Sequence, residues 1–154
     1  MTEVNSINYA KSVAVPVVKA NPGETNGRVK CLFDKYTLAA AITAADIINC
    51  SKLPVGAKVL SAEIRSDDMG GAGQFSVGYA DNGVDDADAD AFVNNVDAGD
   101  ANAFARNGSD AAAALAESGI YKRFTAETQV TITCEETTTA ITGSIYLAIR
   151  YVLA

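Results

Sequence analysis

Apolar and polar residues alternate with a period of two along much of this chain. The pattern is longest near the C-terminal end, where Ile141, Gly143, Ile145, Leu147, Ile149, Tyr151 and Leu153 occupy consecutive odd positions. That spacing predicts one long β-strand with a buried face. Tyr146, Ala148 and Val152 make the other face partly apolar, which puts the strand in the middle of a sheet or against a neighbouring subunit and leaves Arg150 in need of a partner. Just upstream, "TQVTITCEE" alternates Val130, Ile132 and Cys134 with threonines, and the link "EETTTA" reads as a hairpin turn that would pair the two strands antiparallel. The same period runs through Leu60, Ala62 and Ile64, through Phe75, Val77 and Tyr79, and through Val29, Cys31 and Phe33.

Turn residues separate these runs at short intervals: Asn21-Pro22-Gly23, Pro54-Val55-Gly56, Gly70-Gly71-Ala72-Gly73 and Asp81-Asn82-Gly83. Short strands so punctuated point to an all-β protein, a β-sandwich or a barrel, of which a single β-sandwich is the expectation. Counting "SVAVPVVK", "ADIINCSK" and "GIYKRF" as weaker strands brings the number to about eight, that of a jelly roll. "LAAAITAADII" fits a strand, loop, strand reading better than a helix. Pro16 lacks an N–H, so residues 1–20 form either an edge strand or an extended arm, and residues 21–154 form the sandwich with an acidic excursion over 81–118. One or two short helices are expected at 84–118. One is "SDAAAALAESG", with Ser109 or Asp110 as N-cap and Gly119 as terminator. The other is a helical turn at "DAFVNNV", packing Phe92, Val93, Val96 and Phe104 onto the sheet.

The charge is localised. The chain has 19 acidic and 12 basic residues, and the seven aspartates of "DNGVDDADADAFVNNVDAGD", residues 81 to 100, account for the whole excess. Asp86, Asp88 and Asp90 stand at positions one, three and five of an EF-hand-like loop, with Asp97 at position twelve, a spacing that suits a hard cation such as calcium. Against a calcium site, position six is Ala91 instead of glycine, Asp97 is short for a bidentate ligand, and Phe92 and Val93 interrupt the loop. The segment therefore reads as a solvated excursion whose acids face water, with no metal and no cofactor expected.

Other chemistry is sparse. There is no histidine, which removes the usual general base, the hydrolytic triad and any Cys/His zinc site. Cys31, Cys50 and Cys134 are widely spaced and read as buried free thiols. Asp67-Asp68 and Glu135-Glu136 are adjacent pairs whose members point to opposite faces of a strand, so they are read as turn or rim residues. "GGAG" at 70–73 lacks the ending of a phosphate loop and reads as a hairpin link. No enzyme is expected. Without a basic cluster interleaved with aromatics no nucleic-acid partner is expected, and without a long apolar run no membrane span. The start of the chain lacks signal-peptide character, so synthesis in a cytosol is expected.

"KLPVGAKVLSAEIRSDDMG", "GQFSVGYADNG" and "DADAFVNNVDA", in that order, resemble small virion proteins of tailed bacteriophages, of the capsid decoration or cement type. The matching residues are Leu53 to Ala57, Asp67 to Gly70, Val77 to Tyr79 and Asp90 to Phe92, and the likeness covers about residues 28 to 100 and, loosely, the last two strands. The resemblance implies a sandwich or jelly-roll subunit, commonly a homotrimer, on the outer capsid surface, where it ties major capsid proteins together without cofactor or reaction. A tail, collar or head-fibre component is the alternative, and a calcium-dependent binding module a further one. The partly apolar segment Tyr9 to Val18, with Tyr9, Val13, Val15, Pro16 and Val17, is the expected partner-binding arm.

Overall fold

The computed structural model describes residues 16, 27–69, 71–97, 104–107, 118–140 and 142–153. Eight strands run β1 Lys30–Thr37, β2 Ile47–Leu53, β3 Ala57–Ser66, β4 Gly71–Tyr79, β5 Asp88–Asp97, β6 Phe104–Arg106, β7 Thr128–Thr138 and β8 Ser144–Leu153, and the described residues contain no helix. They form two antiparallel sheets, ordered β1-β8-β3-β6 and β2-β7-β4-β5. β1 pairs with β8, β2 with β7, β3 with β6 and β4 with β5, as in one long antiparallel ribbon folded back on itself. Lateral pairing of β3 with β8 and of β4 with β7 then rolls that ribbon into a sandwich. This is the eight-stranded jelly roll.

The long C-terminal alternation is the inner face of β8. Ile145, Leu147 and Ile149 are buried, and the strand lies between β1 and β3. Facing it across the core are Phe75, Val77, Val130, Ile132 and Cys134 from the other sheet. β7 and β8 therefore do not form the expected hairpin. Each carries a run of three buried apolar residues on its inner face, and they lie in opposite sheets, so the link between them crosses from one sheet to the other. The 67–70 link also joins the two sheets, and the glycine-rich run is no hairpin: Gly71 to Gly73 already belong to β4.

Three strands depart from simple alternation for identifiable reasons. In β3 the register with β8 slips between Val59 and Ser61, so Val59 and Ala62 both point inward and Leu60 falls out of phase. In β1 the pairing of Leu32 with the core residue Ile149 fixes the phase, turning Leu32 inward and Cys31 and Phe33 outward, the reverse of the expected face. The segment "DAFVNNV" is part of β5 and not a helical turn. Its register with β4 slips twice, and Asn95, at φ 50°, is an extra residue whose N–H donates to Ser76 Oγ at 3.1 Å. Asparagine tolerates that left-handed conformation. The two slips bring Phe92, Val93 and Val96 inward at helix-like spacing.

"GIYKRF" is a turn over Ser118–Tyr121 followed by a single bridge between Lys58 and Arg123 instead of a strand, and the eight described strands include β5 and β6, which the alternation did not point to. The segment "SVAVPVVK", apart from Pro16 in an exposed bend, and the alanine-rich run 109–117 lie outside the described residues. Residues 38–46 are the loop between β1 and β2 and not a helix, and of the segment read as strand, loop, strand only Ile47 and Ile48 lie in a strand; Ala45 N donates to Cys134 O at 2.8 Å and Ile42 N to Thr138 Oγ1 at 3.0 Å.

β5 runs so close over β4 that a Cβ on Gly78 would overlap the main chain of Asp88 and Ala89. Gly78→Ala is expected to destabilise the protein by about 1–3 kcal/mol or more, as overpacking does when the obstacle is backbone. Urea denaturation with an unchanged slope would register it as a loss of midpoint.

Candidate interaction surface

The outer face of the β1-β8-β3-β6 sheet is built by residues that alternate with the core. Register places Lys35, Tyr146, Arg65 and Phe104 side by side across the four strands, and beside them Phe33, Ala148, Glu63 and Arg106. The aromatic members are open: Phe33 is 74% exposed, Phe104 50% and Tyr146 43%. Cations stack on two of them, Lys35 Nζ 5.3 Å from the Tyr146 ring centre and the Arg65 guanidinium 4.7 Å from that of Phe104. Such stacks hold a long cationic side chain flat and extended. Ala148 is small and leaves a hollow of about 510 Å³ between Phe33, Tyr146, Lys35, Arg65 and Glu63. Arg150 has the partner its position required, Glu63 Oε1 at 2.6 Å from Nη1.

Sequence reading missed this surface because the period-two run through Cys31 and Phe33 was assigned to the core. The signal that could have found it was Leu32, the aliphatic residue between them, together with the aromatic and basic residues at even positions of the last strand. Tyr146 likewise stands open, whereas Tyr79 is buried and Tyr151 partly so.

The acidic stretch divides into a tied turn and a strand. Asp81 Oδ1 accepts from Gly83 N at 2.7 Å, and Asn82 Oδ1 accepts from Val84 N at 2.9 Å and Asp85 N at 2.7 Å, while Gly83 supplies a φ of 81°. Lys122 Nζ clamps the turn, 2.8 Å from Asp85 Oδ1 and 2.9 Å from the Tyr79 hydroxyl. Its bond to Asp85 holds that carboxyl below its ordinary range. Beneath, the rings of Tyr79, Phe92 and Phe124 meet with centres 5.1 to 6.0 Å apart.

Of the calcium candidates, Asp86 is exposed before the strand, and Asp88 and Asp90 share one side of β5. Asp97 ends the same extended strand, on the order of 25–30 Å further along it. The structure thus brings Asp88 and Asp90 together and separates Asp97. Among the described residues no group of three or more ligating side chains could hold a metal ion. Partial burial, and then the neighbouring Asp88, raise the Asp90 carboxyl above its ordinary value, and Ser118 Oγ donates to Asp88.

All three cysteines are free, but Cys31 is exposed on the outer sheet face, against the expectation of burial. Cys50 is pushed up to about 12 by burial and then by the charge of Asp34, and burial also raises Cys134. No helix among the described residues is long and apolar enough to cross a membrane.

No family model and no curated protein matches the chain. Solved structures do. A chain of the cyanophage Pam1 capsid asymmetric unit is 25% identical, with a TM-score of 0.66 over 92% of this chain and 96% of its own. A chain of the Ralstonia phage GP4 capsid shares the fold at 20% identity and a TM-score of 0.64, covering 96% of both chains. The class defined by the fold is an all-β jelly-roll sandwich, and the solved chains of that class to which this one is similar are components of phage capsids. The resemblance to phage virion structural proteins read from the sequence is thereby borne out.

Two predictions follow from the ionisable groups. A carboxyl raised in the folded state weakens the fold when ionised, and that penalty fades as pH falls towards the unfolded value. Asp90→Asn is therefore expected to raise the melting temperature near neutral pH and to leave it unchanged in acid, as followed by calorimetry at both ends. A small thiol reagent such as iodoacetamide, applied at neutral pH to protein dilute enough to be monomeric, is expected to label Cys31 alone in the folded chain, with Cys50 and Cys134 reacting only after denaturation, as peptide mass mapping would read.

Proposed function

We propose that this chain is a decoration, or cement, protein of a phage head. It binds the outer surface of the capsid as a homotrimer and stabilises contacts between major capsid proteins, without cofactor or catalysis. The observation that carries this reading is the match of nearly the whole chain, in fold and at a quarter of its residues, to a chain of the Pam1 capsid. A jelly roll that exposes aromatic and cationic side chains on one sheet, with a partly apolar segment ahead of its first strand, has the surfaces such a role needs. In this reading Tyr9, Val13, Val15, Pro16 and Val17 form an arm that clamps a neighbouring subunit or the shell, and the chain makes no direct contact with nucleic acid or membrane.

The test adds purified protein to source-virus capsids that lack it and maps the bound density by cryo-electron microscopy, with and without a calcium chelator. Regular density on the outer lattice, unaffected by chelation, is the expected result. Density confined to the tail vertex would make the chain a collar, tail or fibre component, and loss on chelation would make it a calcium-dependent module. Removal of residues 1–19 is expected to reduce capsid occupancy at least tenfold; unchanged occupancy and trimer formation would overturn the arm assignment.

A further inference from the structure

The outer face of the β1-β8-β3-β6 sheet differs in charge from the rest of the protein. Among the described residues it carries the bases Lys35, Lys58, Arg65, Arg106 and Arg150 and, of the acids, Glu63, in a chain of net charge −7. Glu63 is committed to Arg150. Among the described residues Lys35 and Arg65 have aromatic contacts, through Tyr146 and Phe104, and no carboxylate partner. Both flank the hollow over Ala148, and Phe33 stands over it. The face is thus a preformed cationic and aromatic seat with unused capacity for anions.

The complementary surface is present on every copy of the same chain. Asp81 and Asp86 are exposed, and Asp88 and Asp90 crowd one side of β5 with like charge. Asp85 is already held by Lys122. The two surfaces cannot meet within one copy, because β5 lies in the opposite sheet, across a core about 10 Å thick. We propose that the outer face of the β1-β8-β3-β6 sheet is a contact between copies of this chain, and that it receives the aspartates at 81–90 of the neighbouring copy. Lys35 and Arg65 meet the carboxylates, and the apolar hollow between them excludes water. Two different patches are joined, so the contact is head-to-tail and generates a ring or an open array instead of a two-fold dimer.

This inference rests on the self-association part of the proposed function and names its surface. Sedimentation velocity of the full chain tests it. Raising NaCl from about 0.1 M to about 1 M shortens the screening length from about 10 Å to about 3 Å and is expected to weaken association roughly tenfold or more. Lys35→Glu with Arg65→Glu is expected to give a monomer that still unfolds in one cooperative thermal transition, and Asp86→Lys with Asp88→Lys in the same chain to restore the oligomer. Zero-length carbodiimide coupling of mixed light and heavy isotope-labelled protein should link Lys35 of one copy to Asp81, Asp86, Asp88 or Asp90 of another. Cys31, on the same face, should be shielded from a bulky maleimide in the oligomer and exposed in the monomer.

An oligomer that survives the double reversal with its salt dependence and cross-links unaltered would overturn the inference and leave self-association standing. A wild-type chain monomeric at every salt and at high concentration would overturn both. Charge reversal that unfolds the chain is replaced by Lys35→Gln with Arg65→Gln, for which unweakened association counts equally against it.

Discussion

The insertion of β8 between β1 and β3 is the pairing on which the rest of the molecule depends. It fixes the phase of β1, because Leu32 must face inward beside Ile149, and so it determines that Phe33 and Lys35 face solvent. It fixes β3 through a register slip that turns Ala62 and Ile64 inward and Glu63 and Arg65 outward. The aromatic and cationic seat is therefore the reverse side of the core, and its composition follows from which residues the core did not take.

The second sheet solves a different problem. β5 must cover the edge of β4 while passing over Gly78, and it does so with two register slips and a left-handed asparagine. The slips concentrate Ala91, Phe92 and Val93 on the inside, where Phe92 joins Tyr79 and Phe124, and they place the carboxyls of Asp88 and Asp90 side by side. Local backbone irregularity is what converts an aspartate-rich sequence into a compact acidic edge. The tied Asx turn before it, clamped by Lys122, holds that edge in place.

Much of this was legible in the sequence. The all-β class, the sandwich and the inner faces of β4, β7 and β8 follow from alternation and turn residues, since each of these strands keeps its period along the stretch that faces the core. What could not be read has physical causes. Periodicity says which residues share a face but not which sheet a strand joins, so β7 and β8 looked like a hairpin. A bulge converts period two into a spacing that imitates a helix, so β5 looked like one. On an edge strand with apolar residues on both faces, only the partner strand decides which face is buried, and "KCLFDKY" alone left that open.

The order of the strands in the first sheet has a consequence for synthesis. One of its two inner strands is β8, the last of the eight to be made, and it is the partner of the first strand although it lies more than a hundred residues further on. Neither β1 nor β3 has its main neighbour until then, so that sheet cannot assemble as the chain emerges. β2 and β4 also wait for β7. High contact order of this kind makes folding slow and leaves unpaired strands in the nascent chain. That sheet can therefore close only once β8 has been made, and until then the aspartates of residues 81–100 add negative charge that disfavours pairing between incomplete, strand-rich chains.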